Sequence, residues 1–205
     1  MIRFHARTDV GLKRPHNEDS LLASPEHGLF VVADGVGGRH AGEVASALTI
    51  DTFQNEAPRL KHCVDAFAAN PGKETRNAVL AMLDEVANLA SKRVYDSAAS
   101  TGRQGMTTTL VAGVVGGGAA FLVHVGDSRC YLVRNGDLRQ LTEDHSMVNE
   151  LIRTGGMTRE EAATSRYKNV ITRAIGLYPT AKTDTLFVEL LPSDRLLLCS
   201  DGLTD

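Results

Sequence analysis

The chain has 205 residues, of which 42% are hydrophobic and 23% are charged, and its formal net charge is −3 at pH 7. This length suits one globular domain, residues 1–205, and the small net charge gives no basic surface for nucleic acid. No apolar run approaches the ~20 residues that a membrane-spanning helix needs, and the N-terminal residues lack the apolar core of a signal peptide. We expect neither nucleic-acid nor membrane partners.

The cysteines exclude one kind of phosphate chemistry. There are three of them, too few and odd in number for a disulfide framework. A cysteine-based phosphatase would need an arginine six residues after its nucleophile, but those positions hold alanine, glycine and aspartate. We interpret Cys130 and Cys199 as small hydrophobic core residues, and a reducing, cytoplasmic setting as the best fit.

Hydrophobic spacing predicts short strands and long helices in the first half of the chain. Residues 2–8 and 19–23 have the pattern of strands, and the apolar run 28–34 predicts a buried strand that ends in an aspartate. Apolar residues recur at helical spacing over 41–53, and again from 71 to about 95.

The second half alternates strands and turns. Asn135-Gly136 predicts a tight hairpin turn, a helix is expected over 144–154, and Thr158 to Glu161 has the form of a capping box. Antiparallel strands with two long helices between them predict an α+β layered fold rather than alternating βαβ units. The expected strands are 107–115, 119–125, 128–134, 137–141, 185–191 and 195–200.

Three aspartates adjoin glycines at the ends of apolar runs: Asp34, Asp127 and Asp201. A single aspartate at a strand end is often only a turn residue. Three carboxylates from separate strands that converge on one edge repel one another unless cations lie between them. Oxygen ligands favour Mg²⁺ or Mn²⁺ over zinc, so the sequence predicts a site for hard cations.

A basic residue precedes an acidic pair near the N-terminus, where Arg14 is followed by Glu18 and Asp19. An arginine fork can bind a phosphoryl group through two hydrogen bonds. On its own, this segment is more typical of a charged surface turn. Two other phosphate motifs fail, because His40 replaces the third glycine of a dinucleotide loop and no Walker A sequence occurs.

Seven segments in order span nearly the whole chain: 14–20, 33–38, 41–43, 125–129, 141–146, 169–176 and 200–205. Together they resemble the metal-dependent PP2C (PPM) protein serine/threonine phosphatases of bacteria. The resemblance implies a four-layer αββα sandwich with metals in a cleft at one end. The family continues beyond Ser-Asp-Gly-Leu with a helix, an Asp-Asn metal motif and a strand, so we expect this chain to lack them.

The resemblance implies a metal centre of two Mn²⁺ or Mg²⁺ ions and a third, weaker one. By position, Asp34 bridges the two main ions and the backbone carbonyl of Gly35 binds one of them. Asp201 binds the first ion, and Asp127 holds the third together with Asp201. A water that bridges the two main ions would then attack phosphorus directly, without a phosphoenzyme.

Further roles follow from the same resemblance. Glu18 and Asp19 would act through metal-bound waters, and Arg14 would hold the substrate phosphate. The region 144–167 would form a flap that selects substrates. Phosphorylated proteins are the implied partners, in opposition to a bacterial Ser/Thr kinase.

The chain also departs from the family at informative positions. Val36 stands where some relatives place a histidine that protonates the leaving oxygen, so a metal-bound water is the expected acid, with His40 and His145 as weaker candidates. Thr107 replaces a usual glycine. Two alternatives remain open: a metal-deficient homologue that binds phosphoproteins without hydrolysing them, and a two-metal nuclease, which would want a more basic surface.

Overall fold

The computed structural model describes residues 2–12, 14–37, 41–103 and 105–204. Its strands are β1 (Asp19–Ser24), β2 (Leu29–Val36), β3 (Thr107–Thr108), β4 (Leu110–Gly116), β5 (Ala119–Val125), β6 (Arg129–Arg134), β7 (Asp137–Gln140), β8 (Asp184–Glu189) and β9 (Arg195–Cys199). Its helices are α1 (Ala41–Ala69), α2 (Lys73–Thr101), α3 (Met147–Arg153) and α4 (Arg159–Thr164), and a 3₁₀ turn over Asp201–Leu203 follows β9.

The strands form two antiparallel sheets. The larger has the order β1-β2-β4-β5-β8, with β3 paired to the end of β2, and the smaller has the order β7-β6-β9. In the β1–β2 register, Asp19 lies directly opposite Asp34. Because directly opposite residues of an antiparallel pair project from the same face, this register already brings two of the predicted acids together.

Two hydrophobic layers hold the sheets and helices together. Helices α1 and α2 pack on one face of the large sheet around buried residues such as Phe53, Leu83 and Phe121. The opposite face meets the small sheet through a second cluster that includes Leu122 and Cys130. The α+β fold expected from the sequence is therefore confirmed, with a helix layer on two stacked sheets.

The outer face of the small sheet is partly exposed in the described ranges. Leu197, on the outer face of the small sheet, is 41% exposed. The short helices α3 and α4 contact each other in the segment after β7. No helix within these ranges is long and apolar enough to cross a membrane.

The prediction of a strand over residues 2–8 is wrong. Residues 2–10 have no regular secondary structure and are exposed, although the Phe4 ring lies 5.9 Å from that of Phe30. Alternating apolar residues alone do not make a strand, because a strand also needs a neighbouring strand to bond its backbone groups.

The first helix is longer than its apolar pattern suggested. We expected it to end near residue 53, but α1 continues to Ala69 and contains Pro58. A proline inside a helix removes one backbone hydrogen bond. Burial of Ala57, Leu60 and Val64 on one face of the helix offsets that loss.

Local turn and cap predictions hold. Asn135 and Gly136 have φ values of 55° and 90°, as the tight hairpin turn between β6 and β7 requires. The capping box at Thr158 is present, with Glu161 as its partner. Helix α3 begins at Met147 rather than at residue 144, because Ser146 caps it by accepting a bond from the backbone of Asn149.

Candidate active site

The end of strand β2 positions the first acid. The backbone N–H of Asp34 donates to Thr109 Oγ1 at 3.0 Å, and its carbonyl accepts from the backbone N–H of Thr109 and from Thr108 Oγ1, both at 2.8 Å. Thr109 Oγ1 also lies 2.7 Å from Ser128 Oγ, in the turn between β5 and β6. Buried hydroxyl groups thus fix Asp34 relative to the turn that contains Asp127.

The neighbouring glycine allows β2 to approach helix α1 closely. A Cβ atom on Gly35 would lie 2.1 Å from the backbone oxygen of Gly42 and 2.7 Å from that of Glu18. The Gly35 N–H donates to the Glu18 carbonyl at 3.1 Å. The Asp-Gly sequence therefore serves packing at this point, because no other residue fits between the strand, the helix and the start of β1.

Three other predicted acids meet around Asp34. Burial raises the pKa of Asp34 to about 8, and so do the neighbouring carboxylates of Asp19 and Asp201, a hydrogen bond with Asp201, and the charge of Asp127. Burial and the Asp201 charge likewise raise the pKa of Asp127 to about 6, against a smaller opposing effect of Arg129. The structure thus brings together acids from β1, β2, the β5–β6 turn and the turn after β9.

These carboxylates have the chemistry of a site for a hard cation. None of the groups that shift the pKa of Asp34 is a cation, so their mutual repulsion is left uncompensated. Oxygen donors suit Mg²⁺ and Mn²⁺. In the described ranges, however, no three His, Cys, Asp or Glu side chains are already arranged around one position.

Two contacts lie within the acid cluster. The carboxyl group of Asp201 adjoins that of Asp34 and raises its pKa, and Ser200 Oγ donates to Asp19 at 2.9 Å. The donor set therefore fits divalent cations in its chemistry.

Comparison with known proteins agrees with the ordered motifs. Residues 13–205 match the family model described as Protein phosphatase 2C. The serine/threonine phosphatase stp of Listeria monocytogenes serotype 4b is 38% identical over 203 residues, which cover 97% of this chain and 77% of that protein. The chain belongs to the protein phosphatase 2C family.

Solved structures of protein phosphatase 2C members extend the comparison. The Mycobacterium tuberculosis serine/threonine phosphatase PstP/Ppp superimposes with a TM-score of 0.85 at 37% identity, covering 99% of this chain and 80% of that one. The catalytic domain of PstP in complex with two manganese ions gives a TM-score of 0.79 at 37% identity, covering 98% and 78% of the two chains. The full PstP sequence is longer, and the match covers 37% of it.

Two other predicted residues lie at the margin of the acid cluster. Arg14 is exposed and makes no hydrogen bond or ion pair with another described residue. Glu18 is half-buried, and its backbone carbonyl accepts bonds from Gly35 and from Ser46 Oγ at 2.6 Å. The structure thus leaves the Arg14 guanidinium available to an incoming anion and fixes the backbone of Glu18 beside the cluster.

The candidates for a general acid are not equally supported. His145 is only 5% exposed, and both of its ring nitrogens are engaged. It is therefore badly placed to protonate a leaving group. His40 lies outside the described residues. Val36 is 45% exposed, and Thr107 pairs with it in the short β2–β3 ladder.

Backbone hydrogen bonds and an ion pair hold both ends of the predicted flap near the site. Ser146 and Ile171 form an isolated β-bridge, and the Met147 N–H donates to the Val170 carbonyl at 2.8 Å. Arg129 binds both carboxylate oxygens of Asp144 at 2.7–3.1 Å. This last pair was missed in the sequence, because nothing in the spacing of Arg129 and Asp144 shows that they meet.

Proposed function

We propose that this chain hydrolyses phosphoserine and phosphothreonine in proteins, as a metal-dependent phosphatase. The observation that carries the proposal is the convergence of Asp19, Asp34, Asp127 and Asp201, whose repulsion raises the pKa of Asp34 to about 8. A cluster of this kind stabilises bound cations at neutral pH. The relatives named above are serine/threonine phosphatases, and one of their structures contains two manganese ions.

The residues that would hold the ions follow from the cluster. Asp34 would bridge two Mn²⁺ or Mg²⁺ ions, with the Gly35 carbonyl on one of them and Asp201 on the first. Asp127, together with Asp201, would hold a weaker third ion. The chemistry that such ions supply is a bridging water of lowered pKa, available as a nucleophile near neutral pH without a phosphoenzyme.

The remaining residues would bind and orient the reactants. Arg14, exposed and without a partner in the described ranges, would bind the phosphoryl oxygens through its fork of N–H donors. Asp19, held by Ser200, and Glu18, held by its backbone, would accept hydrogen bonds from the water molecules of the site. These contacts align the attacking water with the phosphorus, and alignment is a large part of phosphoryl-transfer catalysis.

The cellular role follows from the same assignment. Phosphoproteins made by a cognate Ser/Thr kinase would be the substrates, in the cytoplasm. The single domain of residues 1–205 would use its flap, about residues 144–167, to select among them. This segment contains two short helices and the pair Gly155-Gly156, and the Ser146–Ile171 bridge joins its first residues to the chain that follows it.

A second candidate function is a phosphoprotein-binding homologue without catalysis. It is favoured by the absence, in the described ranges, of three acidic or histidine side chains already arranged around one position. Such a protein would keep the Arg14 contact with phosphate and would not need bound ions.

One assay separates these functions. Metal-stripped protein is given a phosphothreonine peptide or a phosphodiester, with and without Mn²⁺, and phosphate release and peptide binding are both measured. The proposal predicts Mn²⁺-dependent release from the peptide, no cleavage of the diester, and loss of release in Asp34→Asn. Peptide binding without release at any Mn²⁺ concentration would favour the binding homologue, and cleavage of the diester would favour a nuclease.

A further inference from the structure

His145 holds the turn that contains Asp127 through its backbone and its ring. The backbone N–H of His145 donates to the Gly126 carbonyl at 2.8 Å, and the Gly126 N–H donates to His145 Nδ1 at 3.1 Å. These reciprocal bonds fix both backbone polar groups of the residue that precedes Asp127. Gly126 has a φ of +106°, and a Cβ there would lie 2.8 Å from Thr109, so the turn has little freedom to relax in another way.

The ring of His145 is fixed in one tautomer by its surroundings. A backbone N–H can only donate, so Nδ1 must carry the lone pair and Nε2 the proton. Nε2 then donates to Asp184 Oδ2 at 3.0 Å. Arg173 Nη1 lies 3.0 Å from the same nitrogen but cannot donate to it while it carries the proton, and donates instead to Asp184 Oδ1 at 2.9 Å. Burial lowers the pKa of His145, which keeps this neutral form. Asp184 and Arg173 thus orient the acceptor that binds Gly126.

A second histidine supports the same turn. The ring of His124, in β5, lies against that of His145, with centroids 4.5 Å apart and planes inclined by 33°. Neither ring nitrogen of His124 has a hydrogen-bond partner among the described residues. Burial, and after it the neighbouring ring of His145, lower the pKa of His124 to about 3. A buried imidazole in β5 therefore packs against the His145 ring.

We propose that His145 is a positioning residue for Asp127, acting through the reciprocal hydrogen bonds with Gly126 and oriented by Asp184. The inference rests on the proposed function in one respect, since it assigns to Asp127 an ion whose affinity depends on His145. Groups that orient metal ligands typically contribute about 10–100-fold to metal affinity. From the sequence, His145 is a candidate only for a general acid, a role that its burial and its bonds do not support.

Two amide variants separate the two ring nitrogens. In His145→Asn, the side-chain oxygen can replace Nδ1 as acceptor for Gly126 but does not reach Asp184. In His145→Gln, the longer side chain can reach Asp184 but offers no acceptor where Nδ1 was. We expect His145→Asn to keep most of the Mn²⁺ affinity of the weakest site. His145→Gln is expected to weaken that affinity about 10-fold or more.

The first readout needs neither metal nor activity. Hydrogen exchange of the Gly126 amide in metal-free protein is expected to be slow in wild type and in His145→Asn, and at least 10-fold faster in His145→Gln. Calorimetric Mn²⁺ titration is the second readout. Equal behaviour of the two variants in both measurements would overturn the inference while leaving the phosphatase proposal intact. Wild type that binds no Mn²⁺ would overturn both.

A double-mutant cycle tests the route through Asp127. If His145 acts through that carboxylate, His145→Gln lowers turnover in wild type but causes no further loss in Asp127→Ala. Additive losses would contradict the inference.

If the His145 variants do not fold, Asp184→Ala serves instead, because the Asp184 side chain is 55% exposed. Asp184→Ala is expected to speed hydrogen exchange of the Gly126 amide and to weaken Mn²⁺ binding at the weakest site. No change in either measurement would overturn the inference.

Discussion

Replacing Asp34 by asparagine is expected to stabilise the metal-free protein while abolishing its activity. Burial and the carboxylates of Asp19, Asp201 and Asp127 raise the pKa of Asp34 to about 8 from a usual 3.8. Ionising it in the folded protein without a bound cation therefore costs free energy. Asparagine has nearly the same shape and can donate a hydrogen bond to Asp201, but it has no charge to repel its neighbours and is a poor bridge between cations.

The sign and size of this effect follow from the shift in pKa. An acid with a higher pKa in the folded than in the unfolded protein contributes stability that is fully present below about pH 4 and lost as pH rises through about 8. A shift of about four pH units corresponds to at most about 6 kcal/mol. Relaxation and entry of water reduce such penalties, so we expect Asp34→Asn to gain about 2–4 kcal/mol at pH 8. At pH 5, the gain should be about 1 kcal/mol or less.

Urea unfolding in the presence of a chelator, at pH 5 and at pH 8, measures this directly. Asp96→Asn is a matched control, because Asp96 is 58% exposed and pairs with Lys92 on the surface of α2. It should change stability by about 0.5 kcal/mol or less at either pH. A metal-free Asp34→Asn protein that is less stable than wild type at pH 8 would refute the electrostatic account of the cluster. Saturating Mn²⁺ should reverse the order and make wild type the more stable protein.

Three further results are expected. Arg14→Ala should raise KM by about 10–100-fold and lower kcat less, since it removes a charge-assisted contact with phosphate; the reverse pattern would make Arg14 a transition-state group. Gly35→Ala should cost several kcal/mol in thermal unfolding, because its Cβ would lie 2.1 Å from the Gly42 oxygen, whereas Gly72→Ala, with no atom closer than 3.9 Å, should be tolerated. Replacing residues 147–167 of the flap, which leaves Asp144 and His145 in place, should change preference among phosphopeptides and spare a small aryl phosphate; equal losses on both would contradict a role in selection.

Much of the fold could be predicted because its signals are local. The Asn135-Gly136 turn and the Thr158 capping box each depend on a few adjacent residues, and both are present. Element lengths were less predictable. The continuation of α1 past Pro58 depends on packing against α2 and the large sheet, which a sequence window does not contain. The prediction of a strand over residues 2–8 was wrong for the same reason, since no described strand pairs with these residues.

The candidate site could likewise be predicted only in part from the sequence. The sequence identified the aspartates as candidate ligands, because an aspartate followed or preceded by glycine at the end of an apolar run is easily recognised. The groups that orient them were not. Thr109 and Ser128 are ordinary hydroxyl residues until the fold places them 2.7 Å apart, and Asp184 meets His145 across 39 residues of sequence. Long-range hydrogen bonds leave no periodic signal.

Phosphate release from a phosphothreonine peptide as a function of free Mn²⁺, starting from metal-stripped protein, tests the central claim most directly. The account predicts no release without metal, saturable release as Mn²⁺ rises, and no release by Asp34→Asn at any concentration. Release that persists in a chelator, or an Asp34→Asn protein that matches wild type, would contradict the claim that the acid cluster around Asp34 is a catalytic metal centre.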